Sequence, residues 1–187
     1  MNQKSKKSQK EVIHNRLKIR EETENDYPKT RGVNDLAFGQ GDEGRLIEKL
    51  RQTEKFIPEL SLVAELNDEI IGHILFYPVP IRSATSTFYS LSLAPMAVTP
   101  MYQRIGIGSR LVKEGLDVAK KLGHKSVIVV GHPEYYPRFG FKPASQWKIK
   151  VSFDVPDEAF LALELVNGEL EGKSGTLEFP EEFNEAM

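Results

Sequence analysis

Gly106 and Gly108 stand where an apolar, strand-like run gives way to a long helical pattern, and Gln103, Arg104 and Ile105 lead directly into them. The first amides of a helix lack internal partners and lie at the positive end of its dipole, so a helix opened by glycines can hold an anion such as a pyrophosphate. Main-chain amides of Arg104, Ile105, Gly106, Ile107, Gly108 and Ser109 would then face the anion, with the Gln103 and Arg104 side chains beside it. The same two glycines also suit a tight strand-to-helix turn that binds nothing. Two commoner nucleotide loops are excluded. A P-loop needs Lys followed by Ser or Thr after its second glycine, where this chain has Ser109-Arg110. A dinucleotide fingerprint needs a third glycine, where Leu111 stands, and an acidic residue closing the next strand, where Val130-Gly131 stands.

The elements needed to position this turn can be read on either side of it. Phe88 to Ala94 reads as a strand that runs through Pro95 to Val98, and a proline inside a strand implies a bulge or an unpaired edge. Such a bulge would leave main-chain groups of Met96, Ala97 and Val98 free for a ligand. From Ile107 to Leu122 apolar residues recur at helical spacing until Gly123, and Ser126–Val130 follows as a β-branched strand at the distance of a right-handed crossover. Glu134 to Phe139 predicts one or two helical turns, and Phe141 a return strand.

Upstream, Leu17–Arg20 alternates as a first strand. Helices are expected after a cap at Thr23 or Asn25, and again from Arg45 to Arg51; the two helices and the joint of Gly39, Gly41 and Gly44 between them would make a flexible flap. Leu60–Leu66 and Ile70–Tyr77 predict a hairpin across Asn67-Asp68-Glu69. Downstream, Phe160–Leu165 and Gly175–Phe179 read as strands with a turn at Asn167-Gly168 between them. The expected class is α+β (αβα): a mixed sheet flanked by helices, as a single domain over residues 17–187 behind a flexible tail over 1–16.

The phrase Gln103-Arg104-x-Gly106-x-Gly108 resembles the acyl-CoA pyrophosphate loop of the GNAT acetyltransferase superfamily. Tyr136-Pro-Arg-Phe-Gly140-Phe141, after the next strand, is similar to that superfamily's Tyr-x-x-x-Gly-Phe motif. The fuller stretch His132–Phe141 resembles a bacterial branch of predicted N-acetyltransferases. The resemblance implies a mostly antiparallel sheet with splayed parallel central strands, acetyl-CoA as cosubstrate, and an amine acceptor that is a small molecule or a protein amine. It also places Tyr136 near the thioester sulfur as the general acid, although the same tyrosine could close the core beside Phe139 and Phe141. One departure is Gly131-His132-Pro133, where many members carry asparagine for the pantetheine arm. For the base, Glu65, His73, His132 and water all stay open; His73 on an apolar strand equally reads as a satisfied core histidine. Tyr135 reads as a packing or rim residue.

Composition limits the alternatives. Over 187 residues, 25 Lys and Arg nearly balance 27 Asp and Glu, so no nucleic-acid partner is expected, and no apolar run suggests a membrane span. There is no cysteine, and the histidines at 14, 73, 124 and 132 lack ligand spacing, so no metal is expected and a cytoplasmic setting fits. A non-catalytic acyl-CoA sensor or regulator is the alternative to an enzyme, ahead of a partner-binding module. Monomer and homodimer are both open.

Overall fold

The computed structural model describes residues 13 and 15–185, so most of the tail expected over residues 1–16 lies outside the described residues; Ile13, Asn15 and Arg16 are helical. Strand β1 (Lys18–Glu21) leads into a 3-10 turn (Glu24–Asp26). The Asp26 carboxylate accepts the Thr23 amide at 2.9 Å and hydroxyl at 2.7 Å, closing a capping box that Arg20 clamps from outside at 2.7 and 3.0 Å. Helix α1 (Tyr27–Phe38) carries Pro28 in its first turn and ends at Gly39, whose φ of 74° suits a residue without Cβ. Helix α2 (Asp42–Arg51) starts at Asp42 rather than Arg45, because Asp42 and Glu43 put negative charge in its first turn.

The hairpin of β2 (Ser61–Leu66) and β3 (Glu69–Arg82) turns on Asn67 and Asp68, both with positive φ, as a two-residue turn requires. β3 runs past the expected end at Tyr77, through Pro78 and Pro80. Those prolines pair opposite β4 (Thr87–Val98), and on their other side β2 has already ended at Ser61↔Leu75. A missing amide is tolerated on such an edge, where the Pro80 carbonyl still accepts from Glu178 at 3.0 Å. Helix α3 (Ile107–Lys121), β5 (Ser126–Val130), β6 (Lys142–Pro143), β7 (Ile149–Val151), β8 (Phe160–Glu164) and β9 (Gly175–Leu177) complete the chain.

Among the described residues the nine strands form one sheet, ordered β1-β2-β3-β4-β5-β8-β6, with β9 joining β3 to β7. Its pairs are antiparallel except β4 with β5 and β7 with β9. The strands on either side of Asn167-Gly168 do not pair with each other: β8 already has β5 and β6 on its two edges, so the chain crosses away, burying Leu170, to reach β3.

Helices cover both faces. α3 buries Ile107, Leu111, Val112 and Ala119 against Leu62, Ile74, Phe76 and Leu93, and α2 buries Leu46, Ile47 and Leu50 against Leu75, Tyr77 and Val79 on the opposite face. Each such leucine, isoleucine or valine contributes roughly 1.5–3 kcal/mol. No helix among the described residues is long and apolar enough to cross a membrane.

The α3 contact is close enough to exclude a methyl group. A Cβ on Gly115 would overlap the Phe76 ring, which is fully buried. Gly115→Ala gains up to about 1 kcal/mol in helix propensity, while overpacking costs about 1–3 kcal/mol. The variant is therefore expected to unfold at lower urea than the parent, and an unchanged or higher midpoint would contradict this packing.

Candidate functional site

β4 and β5 meet only at Leu91↔Val127 and Ser92↔Ile128. Beyond that point β4 bulges: its register against β3 passes from Phe76↔Leu93 to Ile74↔Met96, leaving Ala94 and Pro95 opposite Leu75. The bulge read from Pro95 is therefore present, and a bulge bends its strand. β4 continues along β3 to Val98, β5 stays on β8 to Val130, and a wedge opens between their carboxyl ends.

The alternation of an antiparallel ladder settles which groups face this wedge. The Thr99 amide donates to the Ile71 carbonyl at 2.9 Å, which makes Ala97↔His73 the next hydrogen-bonded pair. Met96 and Val98 thus turn their main-chain groups into the wedge, whereas the Ala97 groups, expected there too, are committed to β3. Gln103, expected beside the anion, instead folds its side chain back and donates to the Val98 carbonyl at 2.9 Å. It does so from an extended residue directly after the 3-10 turn Pro100–Tyr102, a geometry with no separate signature in the sequence.

The glycine turn lies at the mouth of the wedge. Arg104 has φ 62° and Gly106 φ 100°, and α3 begins at Ile107, its first internal bond running from the Arg110 amide to the Gly106 carbonyl at 3.1 Å. The amides of Ile107, Gly108 and Ser109 precede that bond and form the open helix end. Gly108 has a second reason to be glycine: a Cβ there would lie 2.9 Å from the Tyr135 hydroxyl and 3.3 Å from the Met96 sulfur. Tyr135, expected as a packing or rim residue, packs against the core and reaches across to the first turn of α3.

Tyr136 is buried in the α3-side core, edge-on to Tyr135 at 5.1 Å and to Phe141 at 5.6 Å. Burial, and secondarily Tyr135, hold its hydroxyl pKa above the ordinary tyrosine value, so the phenol stays protonated through neutral pH. A Cβ on Gly131 would overlap the Tyr136 ring. At the departure Gly131-His132-Pro133 the glycine thus seats this ring. His132 lines an open pocket of about 500 Å³ with Pro133, Glu134, Tyr135 and Arg138, the last stacked on Tyr135 at 4.6 Å.

The remaining base candidates lie elsewhere. Glu65 is on β2 and bonded to Arg20 at 2.7 Å, at the β1 edge of the sheet. His73 is wholly buried in a polar chain that spacing did not reveal. Arg51 donates to both oxygens of Glu22 at 2.5 and 3.2 Å, and Glu22 accepts the Ser61 hydroxyl at 2.7 Å. Ser61 Oγ is 2.9 Å from His73 Nε2, and Asn34 Nδ2 is 3.3 Å from His73 Nδ1. Since the ion-paired carboxylate only accepts, the serine proton points to it, and Nε2–H must donate to the serine. Nδ1 then accepts from Asn34, whose Nδ2 also donates to the Thr30 carbonyl at 2.9 Å. His73 is a neutral, fully bonded imidazole, and its pKa is lowered to about 4 by burial, against the attraction of Glu22.

Comparison with known proteins agrees with this architecture. The sequence profile of the acetyltransferase (GNAT) family matches residues 19–141. The Escherichia coli K12 protein described as uncharacterized N-acetyltransferase YjhQ is 36% identical over 129 residues, 68% of this chain and 71% of that protein. Uncharacterized N-acetyltransferase YhbS of the same organism is 31% identical over 167 residues, 89% of this chain and 98% of YhbS. The crystal structure of Escherichia coli YhbS in complex with CoA superposes with a TM-score of 0.84 at 30% identity, covering 90% of this chain and 92% of that one. A GNAT family acetyltransferase from Brucella melitensis in complex with acetyl-CoA gives 0.74 at 29% identity, covering 90% and 98%.

The buried imidazole sets a pH dependence. An unfolded histidine titrates near 6.5 and the folded one at about 4, so between those values the unfolded chain binds more protons and stability falls as pH falls. The loss from this group reaches roughly 3 kcal/mol at pH 4. Urea unfolding at pH 7 and pH 4.5 should show that loss in the parent and a smaller one in His73→Gln; equal losses would remove His73 as the cause.

Proposed function

The chain belongs to the acetyltransferase (GNAT) family, and on that premise we propose that it is an N-acetyltransferase that moves an acetyl group from acetyl-CoA to an amine. The observation that carries the proposal is the wedge between β4 and β5 with a glycine-opened helix at its mouth. One wall offers main-chain groups of Met96 and Val98 to an extended pantetheine arm, and the open end of α3 offers amides to a pyrophosphate. The CoA and acetyl-CoA complexes of the two similar structures support the same cosubstrate.

Acetyl-CoA supplies an activated acyl carbon as a thioester. The chain's own groups then have separate tasks. Amides from Arg104 to Ser109 hold the phosphates, with the Arg104 side chain beside them and Gln103 bracing the loop on Val98. The Val98 amide donates to the acyl oxygen, an interaction whose loss costs enzymes about 3 kcal/mol. The amine nitrogen forms the C–N bond as the C–S bond breaks, and its proton leaves to His132 or to water, because Glu65 and His73 are committed elsewhere. An alkylammonium of pKa about 10.4 must first deprotonate, so the rate rises with pH through the neutral range.

Tyr136 donates its phenolic proton to the departing sulfur as the general acid. In water the departing thiolate, whose conjugate acid has a pKa of about 8.5, would be a weak base toward a phenol whose pKa is raised. Exclusion of water from the site raises a thiol as well, so the departing thiolate is a stronger base there than in water.

The test is calorimetry with acetyl-CoA followed by assay against a panel of small amines, amino acids and peptide α-amines. The parent is expected to bind and transfer. Tyr136→Phe should retain affinity while turnover falls about 100-fold, the lower range for general acid catalysis. Binding without transfer to any amine would favour a non-catalytic acyl-CoA sensor, and no binding would overturn both readings.

A further inference from the structure

We infer that His73 is a positioning residue for the acceptor side of the reaction, fixing α1 over the segment of β4 that lines the wedge by bonding Asn34 and Ser61. This rests on the N-acetyltransferase reading above. The argument begins with how little holds α1 by apolar contact: its buried residues are Thr30, Val33 and Asn34, so one valine carries most of its hydrophobic anchoring. Leu36 and Phe38 at its far end are 64% and 44% exposed. Val33 rests on Val63, Ile70 and Ala97. Apolar contact of that size leaves the depth and rotation of a helix loosely set, whereas directional bonds in a low-dielectric interior fix them.

Those bonds come from the polar chain, and His73 is its centre. Its two nitrogens reach different elements, Asn34 on α1 and Ser61 on β2, while its backbone pairs with Ala97 between Met96 and Val98. Through Ser61 the chain continues to Glu22 and Arg51, and Arg51 stacks on Tyr27 at 3.8 Å, tying the end of α2 to the start of α1. One connected set of bonds therefore holds both helices of the flap to the sheet. The turn that offers its amides to the phosphates belongs to α3 on the other face, which on the N-acetyltransferase reading leaves the α1 face as the approach for the amine. The order of Ser61, His73 and Glu22 is not that of a hydrolytic triad, because the serine donates to the carboxylate and is itself fully buried.

The test compares His73→Leu, His73→Gln, which keeps one donor and one acceptor, and Ser61→Ala, which cuts the chain next to the ring. Acetyl-CoA affinity is measured by calorimetry. The kcat and KM are measured with whichever amine of the panel the parent acetylates best, and amide hydrogen exchange is followed along α1 and α2. The expected result for His73→Leu and Ser61→Ala is acetyl-CoA affinity within about twofold of the parent, kcat/KM for the amine lower by about 10- to 100-fold, and faster exchange in α1 and α2, with partial rescue in His73→Gln. Nitrogen-15 NMR of the parent should show the Nε2–H tautomer. Unchanged amine KM and kcat in variants that fold overturns the inference and leaves the enzyme reading intact. Equal loss of acetyl-CoA affinity and amine turnover also overturns it, by reducing His73 to general core packing. If His73→Leu does not fold, Ser61→Ala and His73→Gln carry the same comparison. Absence of transfer by the parent to every amine overturns the enzyme reading and the inference with it.

Discussion

Everything at the site follows from a pairing that stops. Two parallel strands in the middle of a sheet normally satisfy each other along their whole length, yet β4 and β5 part after Ser92 and Ile128. Pro95 is the local cause, since the bulge around it turns β4 while β3 keeps hold of the far end. β5 is held by β8 over all its residues and does not follow. A divided sheet centre exposes main-chain groups that water or a ligand must satisfy. The cost is bearable because β3, paired from Gly72 to Arg82 with β4, supports the divergent strand from behind.

Around the wedge, close approach replaces charge as the organising force. Gly108 admits the Tyr135 hydroxyl and the Met96 sulfur, Gly131 admits the Tyr136 ring, and Gly115 admits Phe76 beneath α3. The aromatic cluster of Tyr135, Tyr136, Phe139 and Phe141 is thereby drawn against the first turn of α3 from the β5 side. Beneath α1 the construction differs, with a bonded polar chain where α3 has interdigitated aliphatic side chains. Two helical layers on one sheet thus obey different physics: α3 is set by packing, α1 by direction.

What could be read in the chain tracks how local each signal is. The helix from Ile107, the strand Ser126–Val130, the hairpin and the bulge at Pro95 each depend on neighbours within a few residues, and each is present. The extension of β3 through Pro78 and Pro80 was invisible because it depends on which distant strand lies beside those prolines. Gln103 looked like an anion ligand by position, but its bond goes to Val98. Glu22, Asn34, Arg51 and Ser61 are unremarkable singly and become a network only when β1, α1, α2 and β2 converge. A trace of it was there: Ser61 and His73 occupy inward positions of two strands whose other inward residues are apolar.

The bond from Gln103 to the Val98 carbonyl also gives the wedge a polarity of its own. With one lone pair of that oxygen taken and the amide of the same residue turned the same way, Val98 presents a free proton beside a partly used acceptor. At Val98 it favours a carbonyl over an N–H, while Met96 beside it offers both an amide and a carbonyl, so a chain entering the gap is biased toward one sense at that residue. A side chain distant from any reacting atom thereby acts as a direction marker for whatever is threaded past it.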